Sequence, residues 1–193
     1  MKNLTVTIGV FVAGLLASSM AYTDETPVVK AIAANADHTC AMTSKGEVYC
    51  WGNNRDGQLG PNVRGERSSV PQLVPGVTDA TSVSCSARSS CALFKNGKVM
   101  CWGRSLHHLS KGPSPIVVDD APTAVAIASG GDHTCLLLLD GTVQCWGGNS
   151  SGQIGQKGGG TYGGPVPVSG HLEAIGIAAG SDHTCALQKN GFV

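Results

Sequence analysis

The sequence predicts an all-β repeat protein whose unit is about four short antiparallel strands. Three observations carry this expectation. Cys40/Cys50, Cys91/Cys101 and Cys135/Cys145 are each ten residues apart. Around these pairs the chain recurs as DHTCAMTSKGEVYCWG, RSSCALFKNGKVMCWG and DHTCLLLLDGTVQCWG, and a fourth copy runs DHTCALQKNGFV. The first cysteines, at 40, 91, 135 and 185, are spaced by 51, 44 and 50 residues, a period that marks a solenoid or a propeller. No long stretch carries a helical period.

In chain order, the first element is MKNLTVTIGVFVAGLLASSMAY, with Lys2, an apolar run from about Leu4 to Ala17, and small residues at Ser19 and Ala21. This pattern predicts a secretory signal peptide over 1–21. The run is shorter than the ~20 residues a spanning helix needs, so no membrane span is expected in the mature chain. A linker at 22–27 follows. The repeats then occupy about 28–78, 79–122, 123–172 and an incomplete 173–193. Eight cysteines in an exported chain fit an oxidising, secreted or periplasmic location.

Within each repeat a small, apolar strand such as AVAIASG or AIGIAAG precedes the DHTC strand. A turn at Gly46, Gly97, Gly141 or Gly191 follows, then a strand ending in CWG. Turn-rich sequence comes next, GNNRDGQLG or GGNSSGQIG, and a proline-containing strand (VPQLV, SPIVV or VPVSG) closes the unit. Centring the first hairpin on Lys45 leaves the loop Ser44-Lys45-Gly46, with glycine at the third, left-handed position. Counting outwards pairs Thr43 with Glu47, Met42 with Val48, Ala41 with Tyr49, and Cys40 with Cys50. The cysteines then fall on a non-hydrogen-bonded pair, close enough for a disulfide. The same arithmetic links Cys91 to Cys101 and Cys135 to Cys145, and leaves Cys85 and Cys185 unpaired.

The competing reading of these residues is a soft-metal site at His38, Cys40 and Cys50. Ser89 stands in the histidine position of the second repeat while both cysteines remain, which favours disulfides and no metal. With 13 basic and 13 acidic residues the formal net charge is zero, so no nucleic-acid partner or anionic membrane surface is expected.

The remaining chemistry-bearing residues are mostly periodic, which argues for structure. His38, His133 and His183 occupy one repeat position, each after an aspartate, and are expected to tie a strand to a neighbouring loop. Trp51, Trp102 and Trp146 are expected to pack between repeats. Gly57 and Gly152, with Gly52, Gly60, Gly147 and Gly155, are expected to permit tight turns. His107 and His108 lie in the irregular RSLHHLS loop, and GGGTYGG at 158–164 reads as a surface loop. No catalytic constellation and no cofactor motif stands out.

At CWGNNRDGQLG and CWGGNSSGQIG, with DHTCAM and DHTCLL upstream, the chain resembles the regulator of chromosome condensation repeat family over about 28–193. Its paired cysteines look like the exported bacterial branch. The resemblance implies a seven-bladed β-propeller with one four-stranded blade per repeat. About 3.3 repeats supply roughly half such a ring, so a piece of a longer protein is expected. The alternatives are assembly of several chains, or an open arc that self-associates through its blade edge. Val193 aligns with Val48, Val99 and Val143, which would put the partner of Cys185 two residues further on. The function expected is a non-catalytic, exported scaffold for a protein or glycan partner. The family also implies guanine-nucleotide exchange as an alternative, and a third is the non-catalytic part of a larger secreted enzyme.

Overall fold

In the computed structural model of the chain, residues 28–104, 111–170 and 173–193 are described. The expected signal peptide and linker, and the His107-His108 pair, lie outside them. Among the described residues there is no helix. Blade one is formed by β1 (Val29–Asn35), β2 (His38–Thr43), β3 (Val48–Asn53) and β4 (Arg67–Leu73). Blade two follows with β5 (Ala80–Cys85), β6 (Ser89–Phe94), β7 (Val99–Arg104) and β8 (Lys111–Val117). Blade three is β9 (Ala124–Ser129), β10 (His133–Leu138), β11 (Val143–Gly148) and β12 (Thr161–Pro167). A two-stranded sheet of β13 (Ala174–Ala179) and β14 (Thr184–Gln188) comes last. Each sheet is an antiparallel meander in chain order.

The central hairpins have the register that the loop arithmetic gives. Cys40 faces Cys50, Ala41 faces Tyr49 and Met42 faces Val48, with Thr43 N donating to Glu47 O at 2.9 Å. Gly46, Gly97, Gly141 and Gly191 all have φ between 71° and 85°, the conformation a three-residue loop asks of its last member. The second strands of the complete blades do not alternate: all of β6 from Ser89 to Leu93 is buried. Such a run arises because sheets cover both faces of the strand, which selects small and apolar residues throughout.

Prolines sort to the outermost strand of each complete blade. Pro71 lies in β4, Pro113 and Pro115 in β8, and Pro165 and Pro167 in β12. A residue without an N–H can sit there because one side of an edge strand has no ladder to complete. The GGGTYGG segment, expected as a surface loop, is partly strand: Thr161 and Tyr162 pair with Gly148 and Gly147. Its glycines weaken the local strand signal, and the ladder with β11 overrides it.

The apolar cores lie between sheets. Cys40, Val48 and Cys50 of blade one share a core with Val83, Cys85, Ala92 and Trp102 of blade two. Cys91, Cys101, Leu136 and Trp146 join blades two and three, and Cys135, Cys145, Ile154 and Ala174 join blade three to the last sheet. Backbone bonds repeat across each seam: Ala80 N to Gly46 O, Ala124 N to Gly97 O and Ala174 N to Gly141 O, at 2.9–3.1 Å.

Candidate functional site

The three disulfides sit at the seams. Cys40–Cys50, Cys91–Cys101 and Cys135–Cys145 each have Cα atoms 4.1 Å apart and are 0–1% exposed. That spacing belongs to a non-hydrogen-bonded cross-strand pair.

Beside the first disulfide a buried polar relay joins two blades. His38 Nε2 on β2 lies 2.9 Å from Ser90 Oγ on β6, and Ser90 Oγ donates to Gln58 O at 2.9 Å. Trp102 Nε1 on β7 donates to the same carbonyl at 2.9 Å. The arrangement recurs two seams on: His133 Nε2 is 2.8 Å from Thr184 Oγ1, which donates to Gln153 O at 2.8 Å. In each case the histidine of one blade reaches a hydroxyl of the next, and that hydroxyl returns to the first blade's turn.

Proton counting fixes the histidine tautomer. Ser90 has one hydroxyl proton, and Gln58 O can only accept, so Ser90 spends that proton on it. His38 must therefore donate through Nε2–H, which leaves the lone pair on Nδ1. His38 Nδ1 and His133 Nδ1 are the buried side-chain nitrogens without a partner among the described residues. Burial lowers His38 to about 4 against the opposing pull of Asp37, and lowers His133 below its ordinary value as well. Both rings stay neutral, because a charge on either would be buried without a partner.

The carbonyls are positioned by a turn that asparagine builds. Asn54 Oδ1 accepts from Leu59 N at 3.0 Å, and its Nδ2 donates to Val63 O and Gly65 O. Asn149 repeats this with Ile154 N, Gln156 O and Gly158 O. Gly57 and Gly152 are turn residues with φ of 82° and 80°. Gly52 and Gly147 are not turn residues. They lie in β3 and β11 opposite His38 and His133, and a Cβ on Gly52 would meet Asp37 O and stand 2.7 Å from His38 Cα. Glycine is used there for closeness of approach, at φ +108°.

Trp102 and Trp146 are buried at the seams, while Trp51 is only half-buried and His183 is exposed. Blade two departs from the relay, since Ser89 turns inward to Ser86 Oγ at 2.7 Å. Ser90, Thr184, the Gln58 and Gln153 carbonyls, and Asn54 and Asn149 were not singled out by sequence reasoning. A signal was present: the residue before the first cysteine is Thr39, Ser90, Thr134 or Thr184, always a hydroxyl.

The group closest to a metal site among the described residues is His38, Cys40 and Cys85, whose donor atoms lie within 4.8 Å of one another. Cys40 is committed to a disulfide and offers no thiolate. Ser90 Oγ, 2.9 Å from His38 Nε2 and 3.4 Å from Cys40 Sγ, occupies the space between them. The residues present do not fit a metal. A cleft of about 510 Å³ lies against the last sheet, lined by Gln153, Asp182, His183, Thr184 and Cys185. Of these, Thr184 and the Gln153 carbonyl belong to the relay.

Family models for the regulator of chromosome condensation (RCC1) repeat match residues 45–93 and 140–187, and again 29–58, 80–108 and 124–153. The chain is similar to the mitochondrial RCC1 domain-containing protein RUG3 of Arabidopsis thaliana, at 40% identity over 93 residues. That match covers 44% of this chain and 21% of the relative. Its fold is similar to the structure of human WBSCR16, with TM-score 0.75 and 23% identity, covering 81% of this chain and 43% of the other. It is also similar to yeast RCC1 (Prp20) bound to Kap60, with TM-score 0.72 and 21% identity, covering 84% and 42%. The chain thus spans less than half the length of each of these proteins.

Proposed function

The chain belongs to the regulator of chromosome condensation (RCC1) repeat family, and from that premise we propose that it is an exported, non-catalytic propeller scaffold for a macromolecular partner. The observation that carries this reading is the fate of the repeated polar residues. His38 and His133 spend Nε2 on a hydroxyl of the next blade, and their lowered proton affinity keeps them neutral. A histidine so committed is a seam fastener rather than a general base. Three buried disulfides support an oxidising compartment, in keeping with an exported bacterial-type member. Among the described residues no helix is long and apolar enough to cross a membrane.

What a propeller offers a partner is its loops, held by a rigid frame. The yeast relative is a protein bound to Kap60, which supports a protein partner in kind, with a glycan as the other class. Exposed Val28, Val29 and Ile32 at β1, and Ile175 and Leu187 on the last sheet, are the surfaces through which copies would self-associate. The test is affinity capture by the immobilised full chain from the exported fraction of its source, alongside a glycan array. Reproducible capture of one protein or glycan is expected, and enrichment of neither would sink the proposal. Nucleotide release from a small GTPase is expected to be unchanged by the chain; acceleration would replace the scaffold reading with an exchange factor.

A further inference from the structure

Of the two free cysteines among the described residues, Cys185 is exposed and Cys85 is only 3% exposed. Cys85 ends β5 and shares a core with Cys40 and Cys50 of the neighbouring blade. Its sulfur, Cys40 Sγ and a ring nitrogen of His38 lie within 4.8 Å of one another. The thiol donates toward Ala33 O at 3.5 Å, and Ala33 is the ladder partner of Cys40. Ser90 has its Oγ 3.4 Å from Cys40 Sγ.

The other repeats set this position apart. Ala34, Ser129 and Ala179 stand where the second repeat has Cys85. At the third seam Thr184 Oγ1 approaches Cys135 Sγ at 3.6 Å as Ser90 approaches Cys40, but Ala179 brings no thiol there. Filling space therefore does not call for sulfur. One disulfide of the three has a thiol facing it across the seam.

We propose that Cys85 is an exchange partner of the Cys40–Cys50 disulfide, able to convert it into a Cys40–Cys85 bond between blades one and two. In the step, Cys85 gives up its proton and the thiolate attacks Cys40 Sγ. The Cys85–Cys40 bond forms as the Cys40–Cys50 bond breaks. The electron pair leaves on Cys50 Sγ, which takes up the proton, so no external oxidant or reductant is consumed. In the closed protein, burial pushes Cys85 up to about 12 and keeps it a thiol. Exchange is then gated by loosening of the seam. The product ties two blades covalently where only packing and hydrogen bonds held them.

The experiment uses the full chain carrying Cys185→Ser, which removes the exposed thiol. Samples are held in urea below the unfolding transition, acid-quenched, alkylated and peptide-mapped without reductant. The expected result is a Cys40–Cys85 linked peptide with alkylated Cys50, about tenfold above any rearrangement at Cys91–Cys101 or Cys135–Cys145. Alkylation of Cys85 with Cys40–Cys50 intact at every urea concentration would overturn the proposal, as would equal scrambling of all three bridges. A second variant, Cys50→Ser with Cys185→Ser, leaves Cys40 and Cys85 as thiols. Mild oxidation by oxidised glutathione is expected to join them, and stable glutathione adducts on Cys40 would refute the geometry. Circular dichroism against the parent checks that each variant is folded.

Discussion

Replacing Ser90 by alanine removes one oxygen on which His38, Cys40 and Gln58 O converge. Gln58 O keeps the Trp102 indole as a donor at 2.9 Å. His38 fares worse, because its Nε2–H loses its acceptor in a site where Nδ1 already has no partner. An orphaned buried donor costs about 1–3 kcal/mol, and the lost Ser90 bond to Gln58 O adds about 1 kcal/mol. The expected loss is about 2–4 kcal/mol, or roughly 4–16 °C in Tm for a chain of this size. Urea unfolding followed by tryptophan fluorescence measures it, since Trp102 shares the carbonyl in question. Ser68→Ala is the control, because that exposed hydroxyl bonds only Val70 O and Val70 N in its own strand, and its loss is expected to stay within about 0.5 kcal/mol. Thr184→Ala is expected to cost less than Ser90→Ala, since Thr184 is half-buried and water can replace its hydroxyl. A Ser90→Ala cost no larger than the Ser68 control would refute the relay as a source of stability.

Acid should weaken the fold through His38. Its folded value of about 4 lies below the unfolded 6.5, so between these the unfolded chain binds the extra proton and stability rises with pH. Above pH 6.5 the contribution is complete, and about 3 kcal/mol is expected to be lost as pH falls to 4. Denaturation midpoints across this window measure it, and His38→Gln should flatten the slope. Replacing both Cys91 and Cys101 by alanine opens a bridge of sequence separation 10, and calorimetry should show a loss of about 2.5 kcal/mol. Gly52→Ala should cost about 3 kcal/mol or more, because its Cβ would strike the backbone of Asp37 and His38. Gly65→Ala, at φ +99° with nothing within 4 Å, should cost about 1 kcal/mol, and equal losses at the two glycines would refute the packing argument.

Sequence reasoning reaches as far as side-chain identity reports geometry. Cysteines ten apart around a loop with a third-position glycine leave one register, and the ladder places Cys40 against Cys50 in that register. The repeat spacing and the apolar second strands likewise imply stacked sheets. The relay was only half visible. His38 and Trp102 stand out by recurrence, but their meeting point is the carbonyl of Gln58, an acceptor that any residue would carry. Ser90 is equally quiet, since serine is common and earns no notice until the next blade is in place. Asn54 acts on main chain up to eleven residues away, a reach that turn rules for short loops do not cover. Gly52 was misread for a related reason: glycine marks turns by frequency, and only the structure shows the His38 backbone pressed against it.

The prolines on β4, β8 and β12 bear on what happens when many copies of this chain are crowded together. An edge strand is an invitation for a foreign strand to zip on, one N–H and one C=O at a time. Each missing N–H is a broken tooth in that zipper. The outer rim therefore refuses lateral fusion into extended sheets, and a partner has to be met through loops and side chains.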